Sequence, residues 1–330
     1  MKRGSAGALA TISLTIALAG CQAGLFGSRI SEPAASPRPT LPVDTEPSNP
    51  ALDRVTVSTI PSLLTALADN SVDVIVVADG TYHVSPASDQ KPDSLWIGAR
   101  FAPRTRPITV QAETRGGVTF DGGGADYFGC ISFEQGAHDQ VWDGFNCSGG
   151  NATQTGVITF GGLGAAVPGS PNHITMRFIS ILATCTGSST EASSPTLDHA
   201  FYVANSAGAG PHDLLFENIS VDGGGGLASA FQFFHSAPGA PNASNVTIRD
   251  LTVVGTQEAI ILADPTLRNI TIDSATITNP LKYAVFYETV GAEGILLSNI
   301  TSTGSGSGHG FFSAEGPSPA GVRFSNASLH

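Results

Sequence analysis

His138-Asp139-Gln140-Val141-Trp142-Asp143-Gly144-Phe145 and His212-Asp213-Leu214-Leu215-Phe216-Glu217-Asn218-Ile219 are two copies of one phrase: a short strand, a one-residue corner, and the start of a second strand. The phrase returns at Ile174-Thr175-Met176-Arg177, Val246-Thr247-Ile248-Arg249-Asp250, Ile270-Thr271-Ile272-Asp273-Ser274, Ile295-Leu296-Leu297-Ser298-Asn299 and Val322-Arg323-Phe324-Ser325-Asn326. Its corners are Gly144, Phe178, Asn218, Asp250, Ser274, Asn299 and Asn326. Gly, Asn and Asp tolerate left-handed backbone angles, so they suit a sharp corner. Phe178 is the misfit.

A second phrase, a small residue followed by an apolar one, recurs at Gly129-Cys130, Gly156-Val157, Ala200-Phe201, Ala230-Phe231, Ala259-Ile260, Ala284-Val285 and Gly310-Phe311. A repeat built only of strands, with one copy of each phrase per turn, predicts an all-β fold: a right-handed parallel β-helix of three-stranded coils. Equivalent residues then stack about 4.8 Å apart and share one core, which a single coil cannot form alone. The expected outward position ahead of the corner alternates in sign, through Asp143, Arg177, Glu217, Arg249 and Asp273. That pattern predicts a solvated salt-bridge ladder.

Composition agrees with this reading. Of 330 residues 39 are Gly, 13% are charged and 41% are hydrophobic, a β and turn composition. The net charge of −12 leaves no basic surface to displace counterions, which excludes nucleic acid as a partner. Residues 1–20 begin with Lys2 and Arg3 and continue in an apolar run too short to span a bilayer. The run ends in Leu18-Ala19-Gly20-Cys21, which resembles the lipobox of bacterial lipoproteins. The resemblance implies cleavage before Cys21, lipidation there, and a membrane partner reached through that anchor. Residues 21–52, rich in Pro and Ser, read as a semi-extended tether, and 53–330 as the β-helix domain. The expected location is the bacterial cell envelope, with the domain outside the cytoplasm. Cys130, Cys147 and Cys185 allow at most one disulfide, and spacing does not choose the pair.

Ile60 to Asp69 reads as an amphipathic helix, followed by the strand Val72 to Ala78 and the phrase Asp79-Gly80-Thr81-Tyr82. With Ile108-Thr109-Val110-Gln111 and Asp121-Gly122-Gly123-Gly124, this opening resembles the N-terminal cap of pectate-lyase-like β-helix proteins. The resemblance spans roughly 55–330. It implies that the strand carrying the Gly/Ala column lines a polysaccharide-binding cleft.

On that strand the position before the small residue reads Thr155, His199, Ser229, Glu258, Tyr283 and His309. The position after the inward apolar residue reads Ile131, Ile158, Tyr202, Gln232, Ile261, Phe286 and Phe312, an apolar stripe that suits a binding groove or a loop-covered strip. His199, Tyr202, Glu258, Tyr283 and His309 are the candidate catalytic residues, because His, Tyr and Glu supply proton donors and acceptors. Gln232, His235, Lys282, Phe286 and Phe312 are candidate substrate contacts. Asp264, Glu288 and Glu315, on successive turns, are candidate oxygen ligands for Ca2+. The sequence lacks the motif set of polygalacturonase-like hydrolases and the Arg base of pectate lyases. Asp198-His199-Ala200-Phe201-Tyr202 resembles the His/Tyr placement of some uronate-active β-helix proteins. The expected activity is therefore a polysaccharide lyase or epimerase acting on a uronan. A non-catalytic glycan-binding or adhesive module is the alternative, and a structural or ice-binding solenoid a third. Regular Thr ladders would favour the third, and Thr175, Thr247 and Thr271 offer only a broken one.

Overall fold

A computed structural model describes residues 52–85, 94–98, 102–122, 130–148, 156–161, 169–182, 199–205, 210–224, 227–235, 243–287, 291–304, 312–314 and 321–329; at 205, 235, 312–314 and 329 only the backbone is described. The leader, Cys21, the tether, Cys185, Glu288, His309 and Glu315 lie outside these residues.

The described chain is a right-handed parallel β-helix. Twenty-two strands form a 14-stranded and an 8-stranded sheet, in which successive coils pair in parallel and in order. The long strands Asn172–Leu182, His212–Asp222, Ser244–Val254 and Arg268–Thr278 each bend once and so supply two faces of the coil. The bend falls where the sequence places it. Phe178, Asn218, Asp250, Ser274, Asn299 and Asn326 have φ between 51° and 59°, and Gly144 has φ 90°. Phe178 holds φ 54°, and the Arg115 guanidinium lies 3.6 Å from its ring centroid. This cation–π contact helps offset the steric cost of a bulky left-handed residue.

A second left-handed file was read as straight strand. Asp139, His173, Asp213, Asn245 and Asn269 have φ of 51–57° and stand second in the strand His138–Asp143 and in the four long strands. Their side chains bond along the stack: Asn245 Nδ2 donates to Asp213 Oδ1 at 3.0 Å and Asn269 Nδ2 to Asn245 Oδ1 at 3.1 Å.

Inside, identical side chains stack. The Phe201 and Phe231 rings lie 4.5 Å apart at 5°, and Phe133 and Phe160 4.8 Å apart at 17°. Ile181, Val221, Val253 and Ile277 form another inward file, in which Ser302 occupies the next rung. Cys130 and Cys147 are buried free thiols, and burial pushes the Cys147 thiol up.

The first coil is closed by the helix Ile60–Ala68, which buries Ile60, Leu63, Ala66 and Leu67. Thr59 and Ser62 form its capping box, with Pro61 in the first turn. Arg104, nearly sealed, donates to the carbonyls of Leu67 (3.2 Å), Asp69 (2.6 Å) and Val72, so a cation meets the helix C-terminus.

The charged file runs in the expected register but resolves into separate pairs, Arg177 with Asp143 at 2.9 Å and Arg249 with Glu217. Asp273 instead accepts from Ser298 Oγ and Asn299 Nδ2, both at 2.7 Å, which holds its carboxyl below the usual range. On the face beyond the corner, nine coils place Thr81, Thr119, Asn146, Ser180, Ser220, Thr252, Thr276, Thr301 and Ser328 in one outward file.

Candidate functional site

The 8-stranded sheet carries the Gly/Ala column. In its central coils two consecutive residues turn inward: Ala200 with Phe201, Ala230 with Phe231, Ala259 with Ile260, and Ala284 with Val285 all belong to the core. The residues flanking each pair therefore share the outer face, although they are three apart in sequence. Ring stacking fits that geometry, with His199 on Tyr202 (5.6 Å, 16°) and Tyr283 on Phe286 (5.4 Å, 10°).

Strand register brings His199, Ser229, Glu258 and Tyr283 into one file, and Tyr202, Gln232, Ile261 and Phe286 into the file beside it. The file continues in the other direction to Gly156, not Thr155. Three further placements correct the sequence reading. Ile131 and Ile158 lie in the inward file of Phe201, and the Phe312 backbone pairs with Val285 and not with Phe286. Ser132 and Thr159 take the outward positions instead, and the Ser313 backbone pairs with Phe286. The small residue is therefore not at a constant offset in the end coils, and a slip of one residue exchanges the two faces of a strand. The outer file reads Ser132, Thr159, Tyr202, Gln232, Ile261, Phe286, Ser313, so the stripe is mixed and mostly polar rather than apolar.

The file is sealed at one end and opens towards the other. His199 is 1% exposed and Ser229 fully buried, their Nδ1 and Oγ 2.8 Å apart. Burial alone drives the imidazole pKa down to about 3, so His199 is neutral. Glu258 is nearly sealed; burial raises its pKa, against the opposing pull of Lys282, whose Nζ stands 3.3 Å from Oε1. Tyr202 is held protonated by burial. Tyr283, Phe286 and Lys282 are half-buried, and Phe234, which the sequence reading passed over, is 37% exposed with its ring 6.0 Å from Tyr202. Two aromatic pairs, His199/Tyr202 and Tyr283/Phe286, thus stand three coils apart, about 14 Å. Gln232 and the Glu258–Lys282 pair lie between them.

Of the three candidate Ca2+ ligands, only Asp264 lies among the described residues. Its carboxylate is fully buried and Oδ1 accepts the Thr266 N–H at 2.5 Å, a tight turn at the strand end. Among the described residues no group of three or more His, Cys, Asp or Glu is arranged to hold a metal ion. His235 ends its strand, and its side chain is not described.

No protein-family model and no curated protein sequence matches the chain. Among solved structures it is similar to a PL6 alginate lyase in complex with a trisaccharide (13% identity, TM-score 0.42), covering 77% of this chain and 55% of that one. It is also similar to the catalytic domain of a GH87 α-1,3-glucanase in complex with nigerose (12%, TM-score 0.38; 86% and 58%). A third is the A-module of a mannuronan C-5 epimerase from Azotobacter vinelandii (11%, TM-score 0.32; 82% and 90%). The chain spans little more than half the length of the first two.

Proposed function

We propose that this is a carbohydrate-active β-helix protein of the cell envelope, anchored by lipid at Cys21, whose working face is the outer face of the 8-stranded sheet. One observation carries the reading: two adjacent files, over four coils, set a carboxyl–ammonium pair and an amide between two aromatic platforms. Aromatic faces suit the C–H faces of sugar rings, and Gln232, Glu258 and Lys282 suit their polar edges.

The reaction proposed is a lyase or epimerase step at a uronate. Of the two candidate bases, Glu258 is the better matched to neutral pH, because burial raises its pKa towards the working range. His199, sealed and with its pKa near 3, is a poor proton acceptor and serves to position Ser229 and Tyr202. Lys282 neutralises the substrate carboxylate, Glu258 takes the proton alpha to it, and Tyr283, one coil on, donates a proton. In a lyase the C5–H and C4–O bonds break, a C4=C5 double bond forms, and the proton goes to the departing oxygen. In an epimerase Glu258 keeps the proton it removes, and Tyr283 delivers a different proton to the opposite face of C5.

A second reading, non-catalytic glycan binding, is favoured by the sealing of His199 and Ser229. Incubation with alginate and polygalacturonate separates the two. Unsaturated ends or inverted C5 centres, lost in Glu258→Gln and Tyr283→Phe, support catalysis. Retention of the glycan without product supports binding alone, and activity that survives both substitutions overturns the site.

A further inference from the structure

The third face, beyond the left-handed corner, carries a groove of about 440 Å³ running across four coils, remote in sequence register from the 8-stranded sheet. One wall is the corner file, Asn218, Asp250, Ser274 and Asn299; the other is the hydroxyl file, Thr252, Thr276 and Thr301. Thr252, Thr276 and Thr301 are exposed, and among the described residues no hydrogen bond engages their hydroxyls or the Asn218 amide. On the corner wall the Asn299 amide already donates to Asp273 and accepts from Asn326, and Ser274 bonds Asp273, so the open groups are the three Thr hydroxyls and the Asn218 amide. The parallel register that stacks the core sets the three hydroxyls out at a fixed interval of about 4.8 Å, and each can donate one bond and accept two.

From these observations we infer that this groove binds a neutral, hydroxyl-rich polysaccharide lying along the solenoid axis. The ligand class follows from the lining. Only Asp250 is charged, so a polyuronate gains no cation and meets a carboxylate in a chain already at −12. A neutral glycan offers alternating hydroxyl donors and acceptors that match both walls. The groove carries that carboxylate and a mixed wall of Asn, Asp and Ser, which disfavours a regular hydroxyl-only ice plane. Single hydroxyl contacts contribute little in water, and binding depends on their repetition along the axis. The inference is independent of the chemistry proposed for the other sheet.

Affinity gel electrophoresis of the full chain in gels containing hydroxyethyl cellulose, galactomannan or alginate tests it. The expected result is retardation by at least one neutral polymer, insensitive to salt, and none by alginate in a Glu258→Gln/Phe286→Ala background that disables the other face. The triple variant Thr252→Val/Thr276→Val/Thr301→Val, which keeps side-chain shape and removes three hydroxyls, is expected to weaken neutral-glycan retention at least tenfold with an unchanged circular dichroism spectrum. If that variant aggregates, Thr276→Arg, which blocks the groove with a long cation, is expected to do the same. The inference is overturned if neither neutral polymer retards the wild type, if the variants bind as well as it does, or if alginate alone is retained in that background. Faceting of ice crystals by the wild type, lost in the triple variant, would also overturn it and assign the hydroxyl file to ice.

Discussion

His199 Nδ1 and Ser229 Oγ lie 2.8 Å apart on adjacent coils, both sealed from solvent, and the imidazole is held neutral with a pKa of about 3. In the unfolded chain the same ring titrates near 6.5. The folded state therefore binds fewer protons between these values, and the stability His199 contributes is complete above pH 6.5 and lost as pH falls. The expected loss between pH 6.5 and 4.5 is ~2–3 kcal/mol. Urea unfolding at both pH values checks this against His199→Gln, in which that part of the pH dependence should vanish.

Glu258 and Lys282 give the opposite sign. Burial raises the Glu258 pKa, so the carboxyl favours folding below about pH 4.5 and ceases to as pH rises through its folded value. Lys282→Met removes the cation 3.3 Å away. It is expected to cost on the order of 1 kcal/mol at pH 7, with the deficit vanishing near pH 4, where Glu258 is protonated. Denaturation midpoints of wild type, Lys282→Met and the double variant with Glu258→Gln measure the coupling.

Phe178 sits left-handed at a corner where the neighbouring coils use Gly144 and Asn218. Phe178→Asn relieves backbone strain while losing the Arg115 contact, and stability should stay within ~0.5 kcal/mol. Phe178→Val puts a β-branched residue at φ 54° and loses the same contact, for an expected cost of ~1–2 kcal/mol. Equal midpoints for the two variants would remove the strain argument.

Ser302 replaces an aliphatic residue in the inward file of Ile181, Val221, Val253 and Ile277, and its buried Oγ has no partner. Ser302→Val adds apolar burial and deletes an orphaned hydroxyl. The expected gain is ~1–2 kcal/mol, read as a higher thermal midpoint. A lower midpoint would mean that the packing around Ser302 cannot take the one extra heavy atom that Val brings.

The legible part of the site was its central coils. Ala200-Phe201, Ala230-Phe231, Ala259-Ile260 and Ala284-Val285 each follow directly on the outward residue, and the file of His199, Ser229, Glu258 and Tyr283 follows from that constant offset. At the ends the same rule failed: Gly156-Val157 resembles those pairs chemically but stands one residue out of register, and Ile131 and Phe312 pair where the rule puts Cys130 and Phe311. Gly has no side chain to show which way it points, so at Ile131, Ile158 and Phe312 the pattern reversed the face. The hydroxyl file was passed over because Thr175, Thr247 and Thr271 were compared along the strand ahead of the corner. The unbroken series lies after it, where Ser, Thr and Asn stand between mostly apolar residues from one coil to the next.

Periodicity alone determined the solenoid, its corner residues and the stacking order, because each coil must bury the same apolar positions against the next, and the left-handed turn between faces favours Gly, Asn, Asp and Ser, with Phe178 the exception. Which polar groups are sealed, which pair, and which stand open to a ligand was decided by the tertiary structure. Those properties depend on the exact offset between neighbouring coils and on what lies over a face. His199 and Tyr283 occupy the same file and look alike in the chain, yet one is a neutral buried ring and the other is half open to solvent.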